Sequence, residues 1–379
     1  GRWLWDEEQQ LRDRYKAFNV SGLQKLAAKA VSSKNCVSIS KLAEGAYNKV
    51  FRLTMTDGKT LLAPIPNPNA GPPFYTTASE VATMEFSATT ENFAGSEYIL
   101  MEEATVIQLG LVWDELGLNH QLSIMREMIS ISFSHFGSIY FAKDAVEGAV
   151  PAQVTTDSPP ELKERIYNTY IIGPTVNRYF WHKQRSSMEI SRGPWSTPKE
   201  YVLSVGRREI EWIQKYAVPK PASDAALHSL AQNSPDAHLQ LLEKYLKVAP
   251  SIVDIEPTLT RPALWHGDLH SSNFFVDEGH ITAVIDWQGS WAGPFFLQVE
   301  PSPIVDYQGE LLLKRPANFD ELDAEEQAQI KRKIHKSTLN QLYLLATRKS
   351  NPLLTKVIEM NNGKKIKASS DSTCWKYMG

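Results

Sequence analysis

Cysteine is almost missing from these 379 residues: there are two, Cys36 and Cys374, near opposite ends of the chain. That excludes a disulfide framework and a cysteine-built zinc site, and it fits a reducing compartment. Long apolar runs are missing as well. No stretch approaches the roughly 20 residues that cross a bilayer, which argues against an integral membrane protein. Nor is there a sustained block of Lys and Arg. The net charge is -3, and the short basic clusters, Arg207-Arg208 and Lys331 to Lys333, fall inside helical patterns, so nucleic acid is not an expected partner. Internal repeats are absent. The chain opens on Gly1 rather than Met, so a targeting peptide upstream would not be seen.

What is present suffices for two or three core-bearing units. Residues 1–35 read as a helical extension: "DEEQQLRDRYKAF" is charged and regular, and "GLQKLAAKAV" puts Leu23, Leu26, Ala27 and Val31 on one face. Two strands follow, "NKVFRLTM" and "TLLAPI", joined by "TDGK" and preceded by the tight loop "AEGAYN". "PNPNAGPP" (66–73) reads as a loop, because its prolines continue neither helix nor sheet. A short helix is expected from Thr77, then a strand at "SEYILMEEA" (96–104). From Asn119 the texture turns helical, with Leu122, Met125, Met128, Ile129 and Phe136 as an apolar stripe and 149–161 as a surface loop. Capping signals at Thr197 with Glu200, at Ser234-Pro235 and at Asp323 with Glu326 open three further helices. The expected class is α+β: the extension, a small β-rich unit at 36–103, a larger helical one at 104–360, and a loose Lys/Ser/Gly-rich tail at 361–379.

Chemistry concentrates in "LWHGDLHSSNFFVD" (264–277) and "VIDWQG" (284–289). "NFFV" and "ITAVI" read as a hairpin turned by "DEGH", which sets Asn273 beside Asp286 at its open end. Two oxygen donors there suit a hard cation such as Mg²⁺, which takes its remaining ligands from phosphate and water. Asp268, in the loop feeding the first strand, is placed to orient a hydroxyl and accept its proton. Asp, then Asn, then a hairpin ending in Asp is the order used in phosphoryl transfer. Read singly, each of these residues is also an ordinary loop cap or strand end. A rival set is His266, Asp268 and His270 as zinc ligands, since alternation puts all three on one face. Against it, the other histidines show no ligand-like pairing, and His266 is expected to brace the loop by hydrogen bonding instead.

The nucleotide side is thinner. Gly45 is the single glycine of "AEGAYNKVF", a reduced version of a phosphate-covering loop or a plain hairpin turn. Glu80 stands where a glutamate would pair with a strand cation, yet Thr77-x-x-Glu80 also reads as a capping box. Met101 and Glu102 end a strand at the junction of the two units, a position from which backbone groups meet an adenine.

"HGDLHSSN" with "VIDWQG" resembles the aminoglycoside phosphotransferase-like branch of the protein-kinase-like fold. "KLAEGAYNKVF", "TASEVATMEF", "IGPTVNRYFW", "RGPW" and "VIDWQGSWAGPFFLQ" are similar to the fungal altered inheritance of mitochondria protein 9 family, with gaps, from Gly1 to about Leu354. The resemblance implies a two-lobe fold, ATP with Mg²⁺, a mitochondrial setting and an acceptor it does not identify. It makes Asp268 the base, Asn273 and Asp286 the metal ligands, Gly45 part of the nucleotide loop and Glu80 half of an ion pair. The stretches around "TVNRYFW" and "RGPW" are expected to shape the pocket of a small-molecule acceptor.

Three departures stand out. Where the family carries a basic residue in "A-R-I-P", this chain has "APIP", with Pro64 in its place. Glu80 then lacks its partner, with Lys59 as a weak substitute, and a proline in an interior strand removes a ladder donor. After Phe86 the family has another strand-forming segment; here the helix runs directly into "SATTEN", leaving an exposed sheet edge. The tail past Asn361 also differs. Two expectations follow: an active phosphotransferase impaired by Pro64, or a pseudokinase that binds nucleotide or acts as a scaffold.

Overall fold

In the computed structural model the described residues are 11–12, 14–45, 47–87, 100–102, 107–113, 116, 131–221, 233–266, 268–277, 280–298 and 304–360. The expected charged helix before residue 11, most of the apolar stripe at 122–129 and the tail at 361–379 lie outside them.

Helix α1 (Val20–Ala30) is capped by the Asn19 side chain, which accepts from the Gly22 amide. It buries Leu23, Ala27 and Ala28; Leu26, expected on that face, is 45% exposed. Under it lies a four-stranded antiparallel sheet in the order β1-β2-β3-β4, made of Cys36–Glu44, Asn48–Met55, Thr60–Pro66 and Met101–Glu102. Strand β1 was not expected. Its residues are mostly exposed, so no two-residue apolar alternation marks it, and only pairing with β2 reveals it.

Leu61, Ala63 and Ile65 of β3 enter the core beneath α1 with Leu53 and Met55. Alternation turns Leu62, Pro64 and Pro66 to the opposite face, where β2 presents Asn48 opposite Pro66 and Val50 opposite Pro64. The Asn67 amide donates to the Tyr47 carbonyl, and Met55 to Lys59, so the bonded pairs of this ladder fall on odd-numbered residues. Pro64 and Pro66 therefore sit where no amide donates toward β2. The β2–β3 ladder loses nothing to them; a donor lost at Pro64 would be one toward β4, whose pairing opposite position 64 lies outside the described residues. On the other side, β4 pairs with Leu61 and Leu62 only, among the described residues.

Helix α2 begins at Pro73, four residues before the expected start, and runs to Ser87. Proline is tolerated in a first helical turn because its missing amide has no intrahelical partner there. Of the stretch 66–73, Pro66 closes β3 and Pro68–Ala70 makes a 3₁₀ turn, so it is less of a loop than its composition suggests.

The larger unit is not purely helical. Ser138–Phe141 (β6), Val150–Pro151 (β7) and Tyr170–Gly173 (β8) form a sheet in the order β6-β8-β7. The predicted surface loop at 149–161 thus holds a strand, a fully buried Ala152 and the start of helix α3 (Pro160–Thr169). Phe136 bridges to Trp195 as an extended residue rather than a helical one. Ile107–Gln108 is β5, an outer strand on the hairpin described below.

The helical capping signals behave as read. Helix α4 (Pro198–Tyr216) has the Thr197/Glu200 capping box, α5 (Pro235–Ile252) starts from Ser234, and α6 (Ala324–Ser350) has the Asp323/Glu326 box. Helices α4 and α5 approach closely at Gly206, where a Cβ would meet Leu246 at 2.7 Å and Tyr245 at 2.8 Å. A buried cluster of Phe136, Phe180, Trp195, Tyr201 and Trp291 ties them to Pro262–Trp265 (β9) and Trp291–Pro294 (β12), the paired strands that flank the polar loop.

Candidate active site

The loop after β9 feeds a hairpin, Phe274–Asp277 (β10) against His280–Val284 (β11), extended on its outer side by β5. Phe274 pairs with Val284, and the Ile285 amide donates to the Asn273 carbonyl at 2.9 Å. Asn273 is therefore opposite Ile285, one residue short of the expected match. Asp286 leaves the strand with φ +63°, in the left-handed region that Asp tolerates better than most residues. Such strain persists only where surroundings enforce it, and it is found at functional sites.

His266 enforces it from one side. Its Nε2 donates to the Ile285 carbonyl at 2.9 Å, while its Nδ1 accepts from the Asp268 amide at 3.2 Å. Trp287 lies edge-on to the ring, 4.7 Å between centroids. Burial pushes the imidazole below its ordinary value, against the pull of the Ile285 carbonyl and Asp286. With both ring nitrogens engaged, His266 has no lone pair for zinc. Among the described residues, no three His, Cys, Asp or Glu side chains gather tightly enough to hold a metal.

Asn273 braces the loop of Asp268 from the other side. Buried, it donates Nδ2 to the Asp268 carbonyl at 2.9 Å. Its amide oxygen accepts nothing among the described residues. The Asp268 backbone is thus held at its amide and its carbonyl, while its carboxylate stays 64% exposed, 3.6 Å from His270 Nε2. Burial pushes the Asp286 carboxyl above the usual carboxylate range, and the charge of Asp268 acts in the same direction. The Asp286 carboxylate and the spare Asn273 amide oxygen are oxygen donors of the type that Mg²⁺ takes.

The remaining expected residues are more scattered. Gly45 sits between β1 and β2, its amide donating to the Asn48 carbonyl at 2.9 Å; an added Cβ would meet only that carbonyl, at 3.9 Å, an ordinary contact that does not demand glycine. Met101 and Glu102 form β4. Glu80 is buried in the interior of α2, not at its start, so the capping-box explanation fails and the buried Thr77 hydroxyl has no partner among the described residues. Burial lifts the Glu80 carboxyl to about 8, and the Asp286 charge adds to it. Lys59 does not substitute for the missing cation: its ammonium is held by Asp57 at 3.2 Å and the Val31 carbonyl at 3.0 Å.

Two contacts were not anticipated. Asn48 and Gln288 exchange side-chain hydrogen bonds at 3.3 and 3.2 Å, joining the Pro64 face of the first sheet to the loop of Asp286. Arg178, in "TVNRYFW", stacks on Tyr47 of the glycine loop, its Cζ 4.3 Å from the ring centroid. Trp181 of the same stretch packs on Tyr75 of α2. This segment thus touches the nucleotide side. "RGPW" instead borders a cavity of about 360 Å³ with α4, lined by Ser191, Trp195, Glu200, Arg208 and neighbours and, among the described residues, by none of 264–288. No spacing in the sequence signals either contact.

Residues 197–297, which include Asp268, Asn273 and Asp286, match the phosphotransferase enzyme family APH. A subtelomeric hrmA-associated cluster protein of Aspergillus fumigatus is 33% identical over 371 residues, covering 82% of this chain and 70% of that protein. The chain belongs to this phosphotransferase family. Altered inheritance of mitochondria protein 9, mitochondrial, of Vanderwaltozyma polyspora is a further relative, 26% identical over 85% of this chain and 57% of its own length. A crystal structure of aminoglycoside phosphotransferase APH(4)-Ia aligns over 93% of this chain and 100% of its own, at 15% identity and a TM-score of 0.38, an overlay too loose for comparing sites. This family member has an α+β build, a small antiparallel sheet ahead of the polar loop and its hairpin. No helix among its described residues is long and apolar enough to cross a membrane.

Proposed function

We propose that this chain transfers the γ-phosphoryl group of Mg²⁺-ATP to a hydroxyl of a small molecule, with Asp268 as base. The carrying observation is the double brace on Asp268: His266 and Asn273 fix its backbone, and its carboxylate remains exposed. A base must meet substrate while its own position is fixed. In this reading the acceptor oxygen bonds to the γ-phosphorus, its proton passes to Asp268, the bond from phosphorus to the bridging oxygen breaks, and ADP departs. Asn273 and Asp286 hold the magnesium ion, which neutralises phosphate charge when bound. Residues 36–103 supply the nucleotide side through Gly45, Glu80 and the backbone of Met101 and Glu102, and 104–360 the catalytic side. The mitochondrion is the proposed setting, as in the name of the yeast relative.

The test is nucleotide turnover by the purified chain with Mg²⁺-ATP and a panel of small hydroxyl compounds. Asp268→Asn is expected to cost about 10²- to 10⁴-fold in turnover without loss of nucleotide binding. Equal turnover in both proteins would sink Asp268 as the base.

A second reading, a pseudokinase that binds nucleotide without turning it over, is favoured by Pro64. It occupies the face of β3 that looks toward the Asp286 loop, and it leaves Glu80 buried with no cation from that strand.

A further inference from the structure

We propose that Arg178 supplies the phosphate-binding cation that β3 lacks. The inference rests on the Mg²⁺-ATP reading above and assigns a residue to it. On its cleft face β3 offers Leu62, Pro64 and Pro66, and the nearby Lys59 is held by Asp57 and Val31. Asp268 and Asp286 already bring acidic side chains to this site, and polyphosphate would add more negative charge.

Arg178 is built into position rather than left to wander. The Asn177 side chain accepts from the Tyr179 amide at 3.1 Å, and Trp181 Nε1 donates to the Thr175 carbonyl at 2.7 Å. Arg192 fastens the following turn by donating to the carbonyls of Phe180, Arg185 and Met188. Trp181 in turn packs 5.1 Å from Tyr75 of α2. On this frame the half-buried guanidinium lies over Tyr47 and makes no ion pair among the described residues.

The location matters as much as the charge. Tyr47 precedes Asn48, whose carboxamide is bonded to Gln288, two residues past Asp286. The guanidinium thus lies on the ring of the residue next to the one that ties the first sheet to the loop of Asp286. A glycine loop and a metal-binding Asp bracket the β- and γ-phosphates in phosphoryl transfer. Stacking on an aromatic face leaves the guanidinium edge, with its N–H fork, free for phosphate oxygens.

The test is calorimetric titration of the whole chain with Mg²⁺-ATP and, separately, with adenosine. Arg178→Ala is expected to weaken Mg²⁺-ATP binding by about tenfold or more, with adenosine affinity unchanged and Arg178→Lys in between. If Arg178 were only a latch between Tyr47 and the larger unit, both ligands would weaken together, and the proposal would fall. Mg²⁺-ATP affinity within about twofold of wild type would also overturn it, leaving the phosphotransferase reading untouched. A wild-type chain that does not bind Mg²⁺-ATP would remove both. Melting curves without ligand verify folding, and Arg178→Gln provides a second neutral variant should alanine disturb the turn.

Discussion

The carboxyl of Glu80, enclosed in α2, sits in the field of Asp286, which leaves its own strand in a left-handed conformation. These two acidic groups thus raise each other's cost of charge, and β3 offers proline where a basic side chain would relieve it. The chain resolves this by holding Glu80 neutral up to about pH 8.

That makes Glu80 a determinant of pH-dependent stability. Its folded pKa of about 8 lies above the ordinary 4.5, so the unfolded chain gives up this proton first as pH rises. Stability from this group is complete below 4.5 and is lost progressively up to about 8. By pH 7 the loss is on the order of 3 kcal/mol, at about 1.4 kcal/mol per pH unit. Glu80→Gln should flatten denaturant-derived stability between pH 5 and about 8 and leave the variant the more stable protein at the alkaline end. Parallel curves would show that Glu80 ionises freely. Asp286, shifted the same way, retains part of the slope.

Pro64→Arg should be accepted by the fold, because position 64 donates nothing toward β2. The new guanidinium would stand on the cleft face and draw the Glu80 pKa down. Turnover of Mg²⁺-ATP is expected to rise by about tenfold or more, as a fixed cation stabilises phosphate charge. Unchanged turnover with an unchanged melting point would mean that Pro64 does not limit the site.

His266→Ala removes one acceptor and one donor at once. The Asp268 amide and the Ile285 carbonyl lose their partner, at a cost of about 1–3 kcal/mol each if they remain dry. Since burial depresses the His266 pKa, the unfolded chain takes up this proton first as pH falls. Wild-type stability from this residue is complete above 6.5 and declines below it. Urea melts at pH 5.5 and 7.5 should show that this acid-side slope disappears in the variant.

Glu209→Gln tests the interior of α4. Glu209 is bonded to Arg185 at 2.6 Å and to Arg208 at 2.6 Å, and Arg208 stacks on Phe180. Burial pushes the Glu209 carboxyl up, but the two guanidinium groups hold it below the usual range. Without its charge two buried arginines face each other, and a loss of about 3–5 kcal/mol is expected in chemical denaturation. Arg208→Met, which removes charge and keeps bulk, should cost less.

The sequence by itself determined what depends on neighbours a few residues apart. The Thr197/Glu200 and Asp323/Glu326 boxes were legible because a cap and its third residue meet within one turn. The hairpin that brings Asn273 near Asp286 was legible because a short turn fixes its register to within one residue. Strand β1 and the sheet β6-β8-β7 were not, since their partners lie far off in sequence and their own patterns are weak. Helix α2 was started too late because a proline run reads as loop, although proline also opens helices. Only the tertiary structure buried Glu80 away from its supposed cap, bound Asn48 to Gln288 and laid Arg178 on Tyr47. Those contacts join positions up to 240 residues apart, and no local propensity encodes them: they exist because packed elements bring charge, ring and carboxamide to one corner of the cleft.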